Sequence, residues 1–196
     1  MILPQQMTDR EKDWKYFCSL HDISEDYAQC SFDKCKELDP RIVDYGQQWV
    51  VNPNTSILMQ GACGTGKTYF MLCLIRCLLM QYPLSCIYYS KSKYLDDRIT
   101  TDFKEYGSCK YFIDNLSTEK FVFIDDFGVE KCSEKSEREY IEFIDRRVAN
   151  KRPIIINSNL TFDEIKKNMG ARIHSRLKVC IFLPFTGKDL RKTYHG

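Results

Sequence analysis

Residues 61–68 read GACGTGKT, preceded by the apolar run ILM at 57–59 and followed by MLCLIRCLLM at 71–80. Asn54 and Thr55 have loop character and ILM that of a buried strand, so the glycines stand at a strand-to-helix junction. Gly61, Gly64 and Gly66 open backbone conformations closed to other residues, which lets successive N–H groups point inward at phosphate oxygens. A helix starting near Lys67 adds its positive end at the same place. Lys67 then reaches the outer phosphates and the Thr68 hydroxyl ligates a magnesium ion. With Thr65 and Tyr69, these residues form the expected nucleotide-binding set.

The stretch FVFIDDFG at 121–128 supplies what the cradle lacks, an apolar strand delivering carboxylates at its C-terminal end. Asp125 is expected to hold magnesium, through water, and Asp126 to polarise the attacking water. Asp126-Phe127-Gly128 also spells the protein-kinase DFG, but no HRD loop precedes it and the upstream loop is of the GKT type.

Around these two motifs strands and helices alternate. Helical patterns are expected over 31–51, 68–81, 133–151 and 162–168, and within 91–119. Strands are expected at 57–59, 85–90, 121–124, 153–156 and 179–183. The 133–151 helix has Tyr140, Ile141, Ile144 and Val148 as its buried stripe. Such alternation gives a five-stranded parallel α/β sheet with helices on both faces.

Composition narrows the rest. At 196 residues and 43% hydrophobic content, the chain has material for one good core. A net charge of +2 carries no global field for nucleic acid, so any DNA contact must come from a local patch. Lys91, Lys93, Tyr94, Arg98, Lys104, Lys110 and Tyr111 interleave basic and aromatic groups, as a single-strand path requires. Asp96, Asp97, Asp102 and Glu105 dilute that charge and equally suit a solvated face. Ten cysteines without a signal peptide indicate a reducing, cytoplasmic setting, and the longest apolar run carries Arg76 and is too short for a bilayer. Cys18, His21, Cys30 and Cys35 are four candidate zinc ligands, although their spacing fits no closed structural site well. Residues 1–30 read either as an arm that docks on a partner or as a helix packed on the main domain, which would span 31–196.

GACGTGKT, FVFIDDFGVE, KRPIIINSNLTFDEI, RIHSRL and FTGKDLR, in this order and spacing, resemble the AAA+ ATPases of the helicase-loader family (DnaC and DnaI type) and their transposition relatives (IstB type). The resemblance covers about residue 31 to the C-terminus. It implies a P-loop fold whose fourth strand lies between the cradle strand and the Asp125 strand, with ATP and Mg2+ as cofactors. It further implies Asn159 as sensor 1, with Asn157 as the alternative, Arg176 as an arginine finger serving a neighbouring subunit, and Arg191 as a sensor 2 arginine. Some thirty residues ahead of these blocks and five after Arg191 leave little or no helical lid and no long helicase-gripping domain in this stretch.

The function so implied is an ATP-dependent replication factor that binds single-stranded DNA, assembles as a homo-oligomer and loads a replicative helicase. The alternatives are a transposase helper using the same ATPase, or a nucleotide-gated helicase inhibitor without turnover. A small-molecule kinase is disfavoured, because no arginine-rich lid lies between the two carboxylates and the C-terminus.

Overall fold

In the computed structural model, which describes residues 8–190, five strands lie parallel: β1 (Ile57–Gln60), β2 (Ile87–Lys91), β3 (Phe121–Asp125), β4 (Ile154–Ser158) and β5 (Ile181–Pro184). Their order is β2-β3-β4-β1-β5, which sets β4 between β1 and β3 as the resemblance implies. Side chains alternate across the sheet, so Ile57 and Met59 enter one apolar core and Leu58 the other. Helices α1 (Asp9–Leu20), α3 (Pro40–Val51) and α4 (Lys67–Leu79) supply the first core. The second is filled from α5 (Ser92–Tyr106), α6 (Lys110–Thr118), α7 (Glu134–Ala149), α8 (Phe162–Met169) and α9 (Ala171–Leu177). With both faces covered, the central strands are apolar almost throughout, as buried parallel strands must be.

Local chemistry sets the element ends. Thr8 and Glu11 form a capping box on α1, and Thr161 and Glu164 repeat it on α8. The helix expected from residue 31 starts instead at Pro40, with the Asp39 side chain capping Arg41 N at 2.9 Å. The reason is Pro40 itself, which disfavours helical backbone in the residue before it and suits the first helical position. Before it lie the one-turn helix α2 (Glu25–Ala28) and a 3-10 turn at Phe32–Lys34. The last strand begins two residues later than expected, because Cys180 N donates to Leu177 O at 3.0 Å and closes a turn first. Among the described residues no helix follows β5; the chain from Phe185 to Leu190 returns to the glycine loop instead.

Trp14 and Phe17 of α1 are buried in the same core as α4, with Trp14 Nε1 donating to Ala28 O at 2.8 Å. Each such aromatic contributes roughly 1.5–3 kcal/mol of burial, which fixes α1 on the domain. On α7, Val148 is 43% exposed and does not join the buried stripe; the next position inward belongs to Arg147, which is fully buried. Its guanidinium donates to the carbonyls of Leu116, Glu119, Lys120 and Pro153 at 2.8 to 3.2 Å. Burial holds its pKa below the ordinary arginine value, and the four carbonyls stabilise the charge.

Arg147→Leu is expected to cost roughly 3 kcal/mol or more in urea unfolding, since the carbonyls of Leu116, Lys120 and Pro153 lose a charged donor. Val148→Thr should stay within about 0.5 kcal/mol. Equal effects from the two would contradict this account of α7.

Candidate functional site

The glycine loop leaves β1 and turns directly into α4. Gly64 (φ +80°) and Gly66 (φ +91°) both take left-handed backbone, which aligns the turn with the start of the helix. Packing restricts the loop further: a Cβ on Gly61 would lie 1.9 Å from Phe185 O, and one on Gly64 2.1 Å from Asp189 Oδ1. Leu190 N donates to Gly64 O at 2.8 Å, so the segment after β5 acts as a brace for the loop.

Above the loop is a cavity of about 200 Å³ lined by Gly64, Gly66, Lys67, Thr68, Tyr69, Asp126 and Asn159, together with Tyr27, Cys63 and Leu190. Gly61 and Thr65 do not line it. Thr65 turns its hydroxyl back to Ala62 O at 2.8 Å and stabilises the loop from inside. Lys67 Nζ donates to Gly61 O and Ala62 O, both at 2.7 Å. Burial pulls its pKa below the ordinary lysine value, opposed by the nearby carboxylates of Asp126 and Asp125.

Asp125 lies behind Thr68 and reaches the cavity only through it. Its Oδ1 accepts from Thr68 Oγ1 at 3.1 Å and from the Asn157 side-chain amide; its Oδ2 accepts from Tyr89 Oη at 3.1 Å. Burial and the neighbouring Asp126 charge raise the Asp125 pKa, and the Asn157, Tyr89 and Thr68 hydrogen bonds pull it back. Asp126 takes positive φ (+55°), held by its N–H donating to Asn157 Oδ1 at 2.8 Å. That turn aims the Asp126 carboxylate at the cavity, where it accepts from Asn159 Nδ2 at 3.3 Å.

These groups fit a magnesium nucleotide. Thr68 and Asp125 present hard oxygen donors, and two adjacent carboxylates carry a repulsion that a divalent cation relieves. The glycine loop and the α4 N-terminus that lines the cavity suit phosphate.

Not every expected group converges. Arg176, on α9, is 31 residues in sequence from its partner Asp145 on α7, which accepts from Nε at 2.7 Å and Nη2 at 2.8 Å; it does not line the cavity. Arg191 lies outside the described residues. The four candidate zinc ligands do not gather: His21 stacks against Phe17 and Tyr89, whereas Cys35 Sγ lies 4.0 Å from Cys73 Sγ. Among the described residues no group of three or more His, Cys, Asp or Glu is placed to hold a metal ion. Sequence reasoning missed Tyr27, Cys63, Leu190 and Tyr89. Tyr27 and Leu190 reach the cavity through tertiary packing and carry no local signal; Tyr89 stands in the middle of β2, beside the Asp125 strand, a juxtaposition visible only once β2 is paired with β3.

A model of the IstB-like ATP binding protein family matches residues 7–175. The chain belongs to that family. The match includes α1, upstream of residue 31. The chain is 24% identical over 182 residues to the replicative helicase loader DnaC of Buchnera aphidicola subsp. Baizongia pistaciae, covering 89% of this chain and 74% of the relative. A crystal structure of the DnaC helicase loader matches with TM-score 0.68 at 17% identity, over 83% of this chain and all of that one. The replication initiator DnaA bound to AMPPCP and single-stranded DNA matches with TM-score 0.70 at 16% identity, over 82% of this chain. The chain spans about half the length of that initiator, 50%, and of a second DNA replication initiation factor, 51%. The fold is that of an AAA+ P-loop ATPase domain, and this family member is an ATPase. Among the described residues no helix is long and apolar enough to cross a membrane.

Lys67→Ala is expected to lower the affinity for a fluorescent ATP analogue by about tenfold to a hundredfold while circular dichroism stays native, since one charge-assisted contact to phosphate is lost. Unchanged affinity in the folded variant would contradict the site.

Proposed function

We propose that this chain is an ATP-driven replication factor that binds single-stranded DNA and delivers a replicative helicase to it. The observation that carries the reading is the cavity joining Lys67, Thr68, Asp126 and Asn159, in a chain similar to a DnaC loader. Within it, Lys67 leaves its loop carbonyls for the outer phosphates, and Thr68 and Asp125 hold the magnesium. The metal neutralises charge on the phosphates when bound. Asp126 orients and polarises the attacking water, and Asn159 fixes the Asp126 carboxylate from the other side of the cavity. Asn157 serves as the buried support of both aspartates.

The DNA path in this reading runs along α5 and α6. Tyr94, Tyr106 and Tyr111 are 65, 73 and 80% exposed there, among exposed Lys91, Lys93, Lys104 and Lys110. Exposed rings give bases something to stack on, and the lysines neutralise phosphate. Arg98 is a weaker candidate, because Asp102 accepts from its Nε at 2.7 Å.

A second reading, helper of a DNA transposase, is favoured by the IstB-like family itself. Co-purification from the native host separates the two: a replicative helicase is expected with the chain, and recovery of a transposase instead would replace the first reading with the second.

Arg176 is the proposed finger in trans, with subunits stacked head to tail so that each serves the next subunit's ATP. Its exposed pairing with Asp145 is a weak restraint. Fingers supplied in trans are worth about 10³ to 10⁵ in rate. Arg176→Ala should bind ATP normally and lose hydrolysis stimulated by an unstructured oligonucleotide. Mixing it with Lys67→Ala should restore part of the activity, since some interfaces then pair an intact cradle with an intact finger. A mixture that assembles and stays inactive would contradict the assignment, as would full stimulated activity in Arg176→Ala alone.

A further inference from the structure

Tyr89 belongs to none of the nucleotide-site motifs, yet it contacts the carboxylate that those motifs place deepest. It is 6% exposed, and its hydroxyl donates to Asp125 Oδ2 at 3.1 Å. The other oxygen, Oδ1, accepts from Thr68 Oγ1 at 3.1 Å and from Asn157 Nδ2. The two oxygens are therefore held from opposite directions, Oδ1 towards the cavity edge and Oδ2 from β2. The ring has its own support: Phe17 lies edge-on at 5.7 Å between centroids and His21 at 5.0 Å, the first in α1 and the second at its C-cap.

We propose that Tyr89 is a positioning residue that fixes the Asp125 carboxylate for the magnesium of a bound nucleotide, and that α1 sets this position through the Phe17 and His21 rings. The inference rests on the nucleotide reading above. A buried carboxylate beside a second aspartate needs a donor on each oxygen, and at this depth water does not replace a missing one. Without the phenol, Oδ2 must turn towards another donor, and Oδ1 leaves its alignment with Thr68. Because the ring is clamped between α1 and the sheet, a partner that shifts α1 shifts the hydroxyl with it. This connects the N-terminal helix to the metal position by one side chain, without requiring either terminus to enter the cavity.

A purely structural role for Tyr89 would lower stability and leave the metal dependence alone, which makes the two separable. Affinity for a fluorescent ATP analogue is measured with Mg2+ and with EDTA for the wild type, Tyr89→Phe, His21→Ala and Asp125→Asn. Tyr89→Phe keeps the ring and removes only the hydroxyl. It should retain its affinity in EDTA within about twofold and lose about tenfold or more of the tightening that Mg2+ gives, the scale of one hydrogen bond to a charged group. ATP turnover in the same variant should recover when Mg2+ is raised, showing a higher Mg2+ requirement at nearly unchanged kcat. His21→Ala should show a smaller shift in the same direction. Wild-type Mg2+ tightening in Tyr89→Phe, while Asp125→Asn loses it, would overturn the inference and leave the nucleotide reading intact. Equal losses with Mg2+ and EDTA would overturn it too, by making the role structural. A His21→Ala protein with no shift beside a shifted Tyr89→Phe would remove α1 from the proposal. No Mg2+ tightening in the wild type would overturn the nucleotide reading and this inference with it.

Discussion

One buried carboxylate ties four structural elements together. Asp125 closes β3; Thr68 brings the start of α4 to it, Asn157 the end of β4, and Tyr89 the middle of β2. Each donor satisfies an acceptor that burial would otherwise leave costly, and Thr68 and Asn157 belong to elements whose own or next residues line the cavity. The loop of 61–66 and the turn at Asp126 are thus placed by hydrogen bonds below the surface, and the residues that face the cavity inherit their aim from that layer. Asn157 is the clearest case: its amide reaches Asp125, and its carbonyl oxygen receives the Asp126 N–H at 2.8 Å, which steadies an unfavourable positive φ at the residue proposed to polarise water.

Two segments from far along the chain complete this arrangement. The chain after β5 braces the glycine loop so closely that Gly61 has no room for a Cβ against the Phe185 carbonyl, while the Asp189 side chain packs over Gly64. From the other end, α1 buries Trp14 and Phe17, and Tyr27 faces Tyr69 with ring centroids 5.9 Å apart at the cavity wall. The glycine loop and the aromatic wall beside it are therefore built from different parts of the sequence. Gly64 takes the left-handed backbone that favours glycine, whereas Gly61 answers a packing demand, with Phe185 O in the place a Cβ would take.

The sheet and the cradle were legible because their signals are local. GACGTGKT, FVFIDDFG and IIINSN each sit within one strand and the turn after it, and periodicity alone marks the strands that carry them. Asp125, Asp126 and Asn159 accordingly meet at the site. Misreadings arose where a residue's environment is non-local. Val148 looks like a stripe residue until the carbonyls of the α6 to β3 connection claim Arg147 for the interior. The helix start at Pro40 was obscured by Leu38, which is buried in the core but lies before the helix in the bend that leads to Pro40. Tyr89 and Tyr27 had no motif to announce them, since their contacts depend on strand order and on where α1 and α2 pack. The cysteines grouped by sequence spacing are regrouped by packing, with Cys35 beside Cys73 of α4 and His21 among aromatic rings.

The central claim is that this cavity binds ATP with Lys67 on its outer phosphates and Thr68 and Asp125 at its metal. A crystal structure with a non-hydrolysable ATP analogue and Mg2+ tests it directly. The account predicts Lys67 Nζ withdrawn from the Gly61 and Ala62 carbonyls and placed against the β- and γ-phosphates, with the metal beside Thr68 Oγ1 and Asp126 facing the terminal phosphate. A nucleotide bound elsewhere, or bound here with Lys67 still on those two carbonyls, would contradict it.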